Sequence, residues 1–228
     1  MPTEAIIKHT FRDHAYEFVS TPTALVLIKE IFADNYKVLS NKLDLRPNDT
    51  ILDIGANEGM FSIFLSTLFP ATRIIALEPV PQTYFNMVRN IGLNSCKNIE
   101  AYNVGIGKPG QLSTTLLCGK DNKNSGGASS YFTYNPEWHD KVDVGLISLD
   151  EAFELYKIDR CRILKIDIEG AEYDVLYPST ILPRVDFIVA EFHWNSRLDF
   201  QTRRPAGLIT WCNNQCKVIH VDVIRMAE

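Results

Sequence analysis

The run Ile51-Leu52-Asp53-Ile54, closed by Gly55-Ala56-Asn57-Glu58-Gly59 and followed at once by the apolar stretch Met60 to Leu65, admits few folds. A buried strand, a tight turn and a helix in that order form the ligand-binding half of a βαβ unit. Strand-like and helix-like segments then alternate to the end of the chain. A doubly wound α/β fold with a largely parallel sheet follows.

The loop narrows the ligand. A dinucleotide pyrophosphate prefers G-x-G-x-x-G and rests on the helix N-terminus, whereas this loop reads Gly55-x-x-x-Gly59 with Asp53 and Glu58 beside it. Two carboxylates oppose a doubly anionic group. A cationic nucleoside such as S-adenosylmethionine suits the loop better. A second apolar run, Arg73 to Leu77, ends in Glu78, about 20 residues past the loop, where an acid can meet ribose hydroxyls. An exposed strand-end glutamate is the plainer reading of Glu78.

Taken in order, Met1 to Ser20 gives weak signals, with Phe11, Tyr16 and Phe18 as isolated aromatics. Thr21-Pro22-Thr23 starts a helix, with Ala24 to Ile28, Ile31, Phe32, Tyr36 and Leu39 following at helical spacing, so residues 1–48 read as a helical extension. Helix Pro81 to Ile91 and a strand at Ile99 to Val104 follow. Gly105 to Gly110 reads as a glycine-rich turn, either beside an adenine ring or closing a hairpin. Residues 111–147 read as an inserted segment, with strands at Leu112 to Leu117 and Val142 to Leu149 and a polar loop at Asp121 to Ser130. Ser148 caps a helix to Tyr156. The strand Cys161 to Ile166 runs into Asp167, Glu169 and Glu172, with Asp167 and Glu169 expected on one side of an extended segment. Another strand ends in Glu191-Phe192-His193-Trp194, with Glu191 and His193 on one face. Pro205 to Asn214 reads as a helix and Val218 to Ile224 as a last strand.

Composition excludes several classes. At 228 residues with 46% apolar residues the chain fits a single domain, residues 1–228. A net charge of −5 without a basic run argues against nucleic acid as a partner. Five scattered cysteines without C-x-x-C spacing read as reduced cytosolic thiols. No stretch approaches a membrane span, and the expected location is cytoplasmic. Nothing in the sequence sets the oligomeric state.

Asp53-Ile-Gly-Ala-Asn-Glu-Gly59, Glu78-Pro79 with Tyr84-Phe85 and Asn90, Asn103-Val-Gly-Ile-Gly107, Ser148-Leu-Asp150, Leu164-Lys-Ile-Asp-Ile-Glu-Gly-Ala-Glu172 and Glu191-Phe-His193 occur in that order. In these blocks the chain resembles the FkbM family of S-adenosylmethionine-dependent methyltransferases. The resemblance implies a Rossmann-like methyltransferase fold with a seven-stranded sheet and helices on both faces. It also implies O-methylation of a small hydroxyl-bearing acceptor such as a sugar or polyketide. By the same resemblance Asp53, Gly55, Asn57 and Gly59 surround the methionyl part of S-adenosylmethionine, Glu78 the ribose, and Asn103, Val104 and Gly105 the adenine side. Lys108 stands where relatives often carry an acid.

Methyl transfer to a hydroxyl needs a base or a metal. His193 is the first candidate base, with an ordinary pKa near neutrality, and Asp167 and Glu191 are the other catalytic candidates. A hydrogen-bonded His193 beside Trp194 without a chemical role is the plainer alternative. For Glu169 and Glu172, helix capping and a structural ion pair with Lys165 or Arg184 compete evenly with a catalytic role. Oxygen ligands would suit a divalent metal, but no metal ligand set is assigned. An NAD(P)-dependent oxidoreductase and a non-catalytic nucleoside-binding protein are the competing functions.

Overall fold

The computed structural model describes residues 5–32, 44–120, 127–131, 135–194 and 204–225. Its frame is a six-stranded sheet built from β3 (Thr50–Ile54), β4 (Arg73–Leu77), β5 (Ile99–Tyr102), β9 (Cys161–Ile166), β10 (Val185–Trp194) and β11 (Lys217–Arg225). Their order is β11-β10-β9-β3-β4-β5, and every pair is parallel. From β3 the chain builds outward through β4 and β5, then returns to β9 on the other side of β3. That reversal opens a crevice at the carboxyl ends of β3 and β9, where open parallel sheets bind ligands.

Both faces of the sheet are covered, which is why its strands read as near-continuous apolar runs. Alternate residues of each strand serve opposite cores. Ile51, Ile74, Ile163 and Val189 pack with α1 (Ala24–Ile31) and α2 (Met60–Leu68). Leu52, Ile54, Leu164, Ile166 and Ile188 pack with α4 (Leu149–Leu155), α5 (Glu172–Leu176) and α6 (Pro205–Asn213). Ser148 caps α4 through a reciprocal box with Glu151, as its sequence pattern predicts. The helix α3 (Pro81–Leu93) lies between β4 and β5 in sequence and buries Met87 against Ala56 and Ala76.

Three expectations are corrected. The sheet has six strands among the described residues, not seven, because β11 pairs directly and in parallel with β10 and takes the edge. The segment before Thr21 is not helical. It forms a hairpin of β1 (Ile6–Phe11) and β2 (His14–Val19), with Arg12 in the left-handed region at the turn. The period-two pair Tyr16 and Phe18 is buried, and Tyr16 meets Phe32 edge-on at 4.7 Å while Phe32 meets Phe64 of α2 at 5.3 Å. The helix after it is described over Ala24–Ile31; Tyr36 and Leu39 lie outside the described residues, as does 121–126 of the predicted polar loop. Lastly, Gly105–Gly107 is not only a turn. It forms a short strand, β6, parallel to β8 (His139–Ser148), which pairs antiparallel with β7 (Ser113–Gly119) in a separate three-stranded sheet. No helix of the described residues is long and apolar enough to cross a membrane.

Candidate active site

The crevice at the β3/β9 reversal is an open cleft lined by Gly55, Asn57, Glu78, Asp167 and Glu169. Register explains its walls. Ile54 is level with Leu77 and with Ile166, so Gly55, Glu78 and Asp167 leave three adjacent strand ends together. Gly55 and Ala56 donate their N–H groups to Leu77 O, and Asp167 donates to Ile54 O. Gly55 has φ +73, and a Cβ there would stand 1.9 Å from Asp167 O. Only glycine permits that approach.

At one end of the cleft, the Glu78 carboxylate accepts hydrogen bonds from the N–H groups of Asn57 (3.0 Å) and Val80 (2.9 Å). Burial pushes its pKa up to about 7 against the pull of those two donors. Asn103 does not line the cleft. Its side-chain amide donates to the carbonyls of Glu78 and Pro79 and so holds the turn that carries Glu78. Of Val104 and Gly105, only Gly105 lines the cleft, and Lys108 does as well.

Asp53 and Glu58 turn away from the cleft, which corrects the idea that they would repel a pyrophosphate there. Asp53 is buried on the α2 face, where it accepts from Ser62 Oγ at 2.7 Å. Glu58 is buried in a polar seam, accepting from Thr21 Oγ1 and the Asn86 amide. Alternation explains Asp53, since its neighbours Leu52 and Ile54 point to the opposite core. The acids that do line the cleft are Glu78, Asp167, Glu169 and Asp174. Gly59 is also remote from the cleft; it begins α2 at φ +80, against Met87.

At the other end the acids cluster. Glu169 (φ +54) and Gly170 (φ +104) fold the chain back after β9, so Asp167 and Glu169 meet through a left-handed turn and not along an extended strand. Glu172, fully buried, secures this turn by accepting from the N–H groups of Ile168 and Gly170. It also lies 2.9 Å from His193 Nδ1. His193 Nε2 is 3.5 Å from Glu169 Oε2, 3.9 Å from Asp167 Oδ1 and 4.0 Å from Glu191 Oε2. Burial alone would lower the His193 pKa, but the Glu172 contact and the neighbouring acids raise it to about 9. Burial also raises the carboxyls of Glu169 and Glu191. Lys165, itself buried, donates to Gly55 O at 2.8 Å and stands 3.5 Å from Asp167 Oδ2 and 3.6 Å from Asp53 Oδ1. It ties the two ends together.

A family model described as the methyltransferase FkbM domain matches residues 53–222, spanning both ends of the cleft. The chain belongs to the FkbM methyltransferase family. Relatives include "Methyltransferase 1" of Beauveria bassiana, 32% identical over 65% of this chain and 64% of that protein. "Methyltransferase sdnD" of Sordaria araneosa is 29% identical over 85% of this chain and 80% of its own length. "31-O-demethyl-FK506 methyltransferase FkbM" of Streptomyces tacrolimicus is 26% identical over 77% and 76%. The match to the Beauveria protein thus spans a little under two-thirds of its length.

S-adenosylmethionine is the methyl donor that an FkbM-family fold implies, and the cleft fits it. Gly55 lets the backbone approach without a side chain, and the Asn57 amide oxygen is buried without a hydrogen bond. Glu78 offers a fixed carboxylate to a vicinal diol. The loop lacks the third glycine of a dinucleotide site, and four acids border the cleft. Both features disfavour NAD(P). The structure places Asp167 and Glu191 within 4.0 Å of His193, and of these three only Asp167 borders the cleft. Sequence reasoning gave Lys165 no part in the loop, although a lysine inside an apolar strand run is itself a signal that a buried partner awaits it.

Proposed function

We propose that this FkbM-family chain transfers a methyl group from S-adenosylmethionine to a hydroxyl oxygen of a small molecule such as a sugar or polyketide. One observation carries this reading: a single cleft has a nucleoside-suited end at Gly55, Asn57 and Glu78 and an acidic end at Asp167 and Glu169. The name of the Streptomyces relative supports an oxygen acceptor.

Bound in the cleft, the donor supplies an electrophilic methyl carbon on a sulfonium. Glu78 holds the ribose hydroxyls, since each of its oxygens keeps a lone pair beyond those given to Asn57 and Val80. Gly55 and Asn57 bound the methionyl part, and Gly105 flanks the adenine side. Asp53, Gly59, Asn103 and Val104 act one step back, by shaping the loops that make these contacts. The acceptor hydroxyl becomes a useful nucleophile as its proton leaves. Asp167 takes that proton, because its carboxylate borders the cleft. His193 does not act as the base in the chain alone: with its pKa near 9 it already holds both ring protons at neutral pH. It serves instead as the positive partner that keeps Asp167, Glu169 and Glu191 close together.

The test is mass spectrometry of sugar and polyketide alcohols incubated with the chain and methyl-labelled S-adenosylmethionine. Label on an oxygen supports the reading. Asp167→Asn is expected to lower kcat roughly 100- to 1,000-fold with little change in donor affinity. Donor binding with no transfer to any alcohol would instead support the non-catalytic alternative.

A further inference from the structure

His193 poses a problem that proton transfer leaves unanswered. Its side chain is 2% exposed, and Nδ1 is committed to Glu172. Glu172, which receives backbone N–H groups, is fixed as an acceptor, so Nδ1 carries the hydrogen and Nε2 is the free end of the ring. No hydrogen bond is made at Nε2 among the described residues. It faces carboxylate oxygens of Glu169, Asp167 and Glu191 at 3.5, 3.9 and 4.0 Å. A ring nitrogen set among acceptors requires a cation between them. A proton is one such cation; a metal ion is the other.

The geometry favours a metal. One ligand atom each from Asp167, Glu169 and His193 lie within 4.8 Å of one another. Bonds of about 2.0–2.2 Å place neighbouring ligand atoms roughly 3 to 4 Å apart, so small side-chain rotations close the set. The carboxylate–histidine contact behind Nε2 is the arrangement that orients a metal-binding imidazole. Lys165 lies beside Asp167 Oδ2 and leaves Oδ1 on the His193 side.

We propose that His193 Nε2 and the carboxylates of Asp167 and Glu169 bind one divalent metal ion, with Glu172 orienting the imidazole. One nitrogen with two carboxylates suits Mn²⁺ or a neighbouring transition metal better than Ca²⁺, which takes oxygens alone. Three protein ligands leave positions open, and Asp167 and Glu169 turn them toward the cleft. The site stands on its own geometry. Its use, to make an acceptor hydroxyl acidic enough for its proton to pass to solvent water without a dedicated base, rests on the methyl-transfer reading above.

The test is electron paramagnetic resonance of free Mn²⁺ titrated into the full chain after chelator treatment, without donor or acceptor. One saturable site per chain is expected, with nitrogen coupling in the bound spectrum. His193→Ala should abolish that coupling, and His193→Ala and Glu169→Gln should each weaken binding at least tenfold. Glu78→Gln, at the far end of the cleft, should leave binding unchanged. Circular dichroism checks folding, and Glu169→Gln carries the test if His193→Ala does not fold. Absence of a saturable site, or undiminished binding in Glu169→Gln, overturns the proposal. A chain that binds S-adenosylmethionine but no Mn²⁺ refutes the metal site alone. A chain that binds Mn²⁺ but methylates no alcohol refutes the methyl-transfer reading alone.

Discussion

Glu78 is held at a cost that pH can measure. Its folded pKa of about 7 lies above the ordinary 4.5 because burial penalises the charged form. The folded state therefore holds a proton that the unfolded chain has lost between these values. Stability is expected to fall by on the order of 3 kcal/mol as pH rises from about 4.5 through 7. Glu78→Gln should remove that slope, read by urea unfolding at several pH values. Donor binding should run the other way, tightening as Glu78 ionises, and Glu78→Gln should weaken it roughly 10- to 100-fold and make it insensitive to pH. A pH-independent donor affinity in the unaltered chain would count against Glu78 as the ribose partner. Gly55→Ala is the steric counterpart. With φ +73 and Asp167 O where the Cβ would lie, it should cost more than about 2 kcal/mol and lower the melting temperature. Sequence spacing picked out both positions because strand ends are readable from apolar runs. The directions of Asp53 and Glu58 were not readable, since they depend on which core each side of the loop faces.

Among the elements, α3 shows what local pattern conceals. Asn86 and Asn90 on it and Asn94 at its C-cap recur every fourth residue, which places them on one side. Asn86 donates to the Glu58 carboxylate, Asn90 donates to Glu58 O and accepts from Val19 N, and Asn94 exchanges two hydrogen bonds with the Glu17 backbone. This polar face fastens the β1–β2 hairpin to the glycine loop. Asn90→Ala strands a buried N–H and a buried C=O, each a loss of about 1–3 kcal/mol. Hydrogen exchange should then show faster exchange in β2 with little change in β9 and β10. The six sheet strands were legible because both faces are apolar. The hairpin was not, because its turn at Arg12-Asp13 has no glycine and its alternation spans only a few residues. The strand at Gly105–Gly107 was equally hidden, since its partner in β8 lies some forty residues on.

Across the whole molecule, Lys165 links the two wings of the sheet. It sits on β9, bonds the carbonyl that follows β3, and stands between Asp53 and Asp167. Lys165→Met leaves the fully buried Asp53 without its cation and should cost about 3–5 kcal/mol. Calorimetry should show the loss as a lower melting temperature of the whole sheet. The β3/β9 junction also bears on biosynthesis. A nascent chain halted at Arg160 already contains β3, β4, β5 and the entire glycine loop, yet lacks Asp167, whose carbonyl packs against Gly55, and lacks Lys165. Those groups are synthesised more than a hundred residues after the glycine loop. Closure of the chain around Gly55 therefore waits for β9 and does not come with β3 alone.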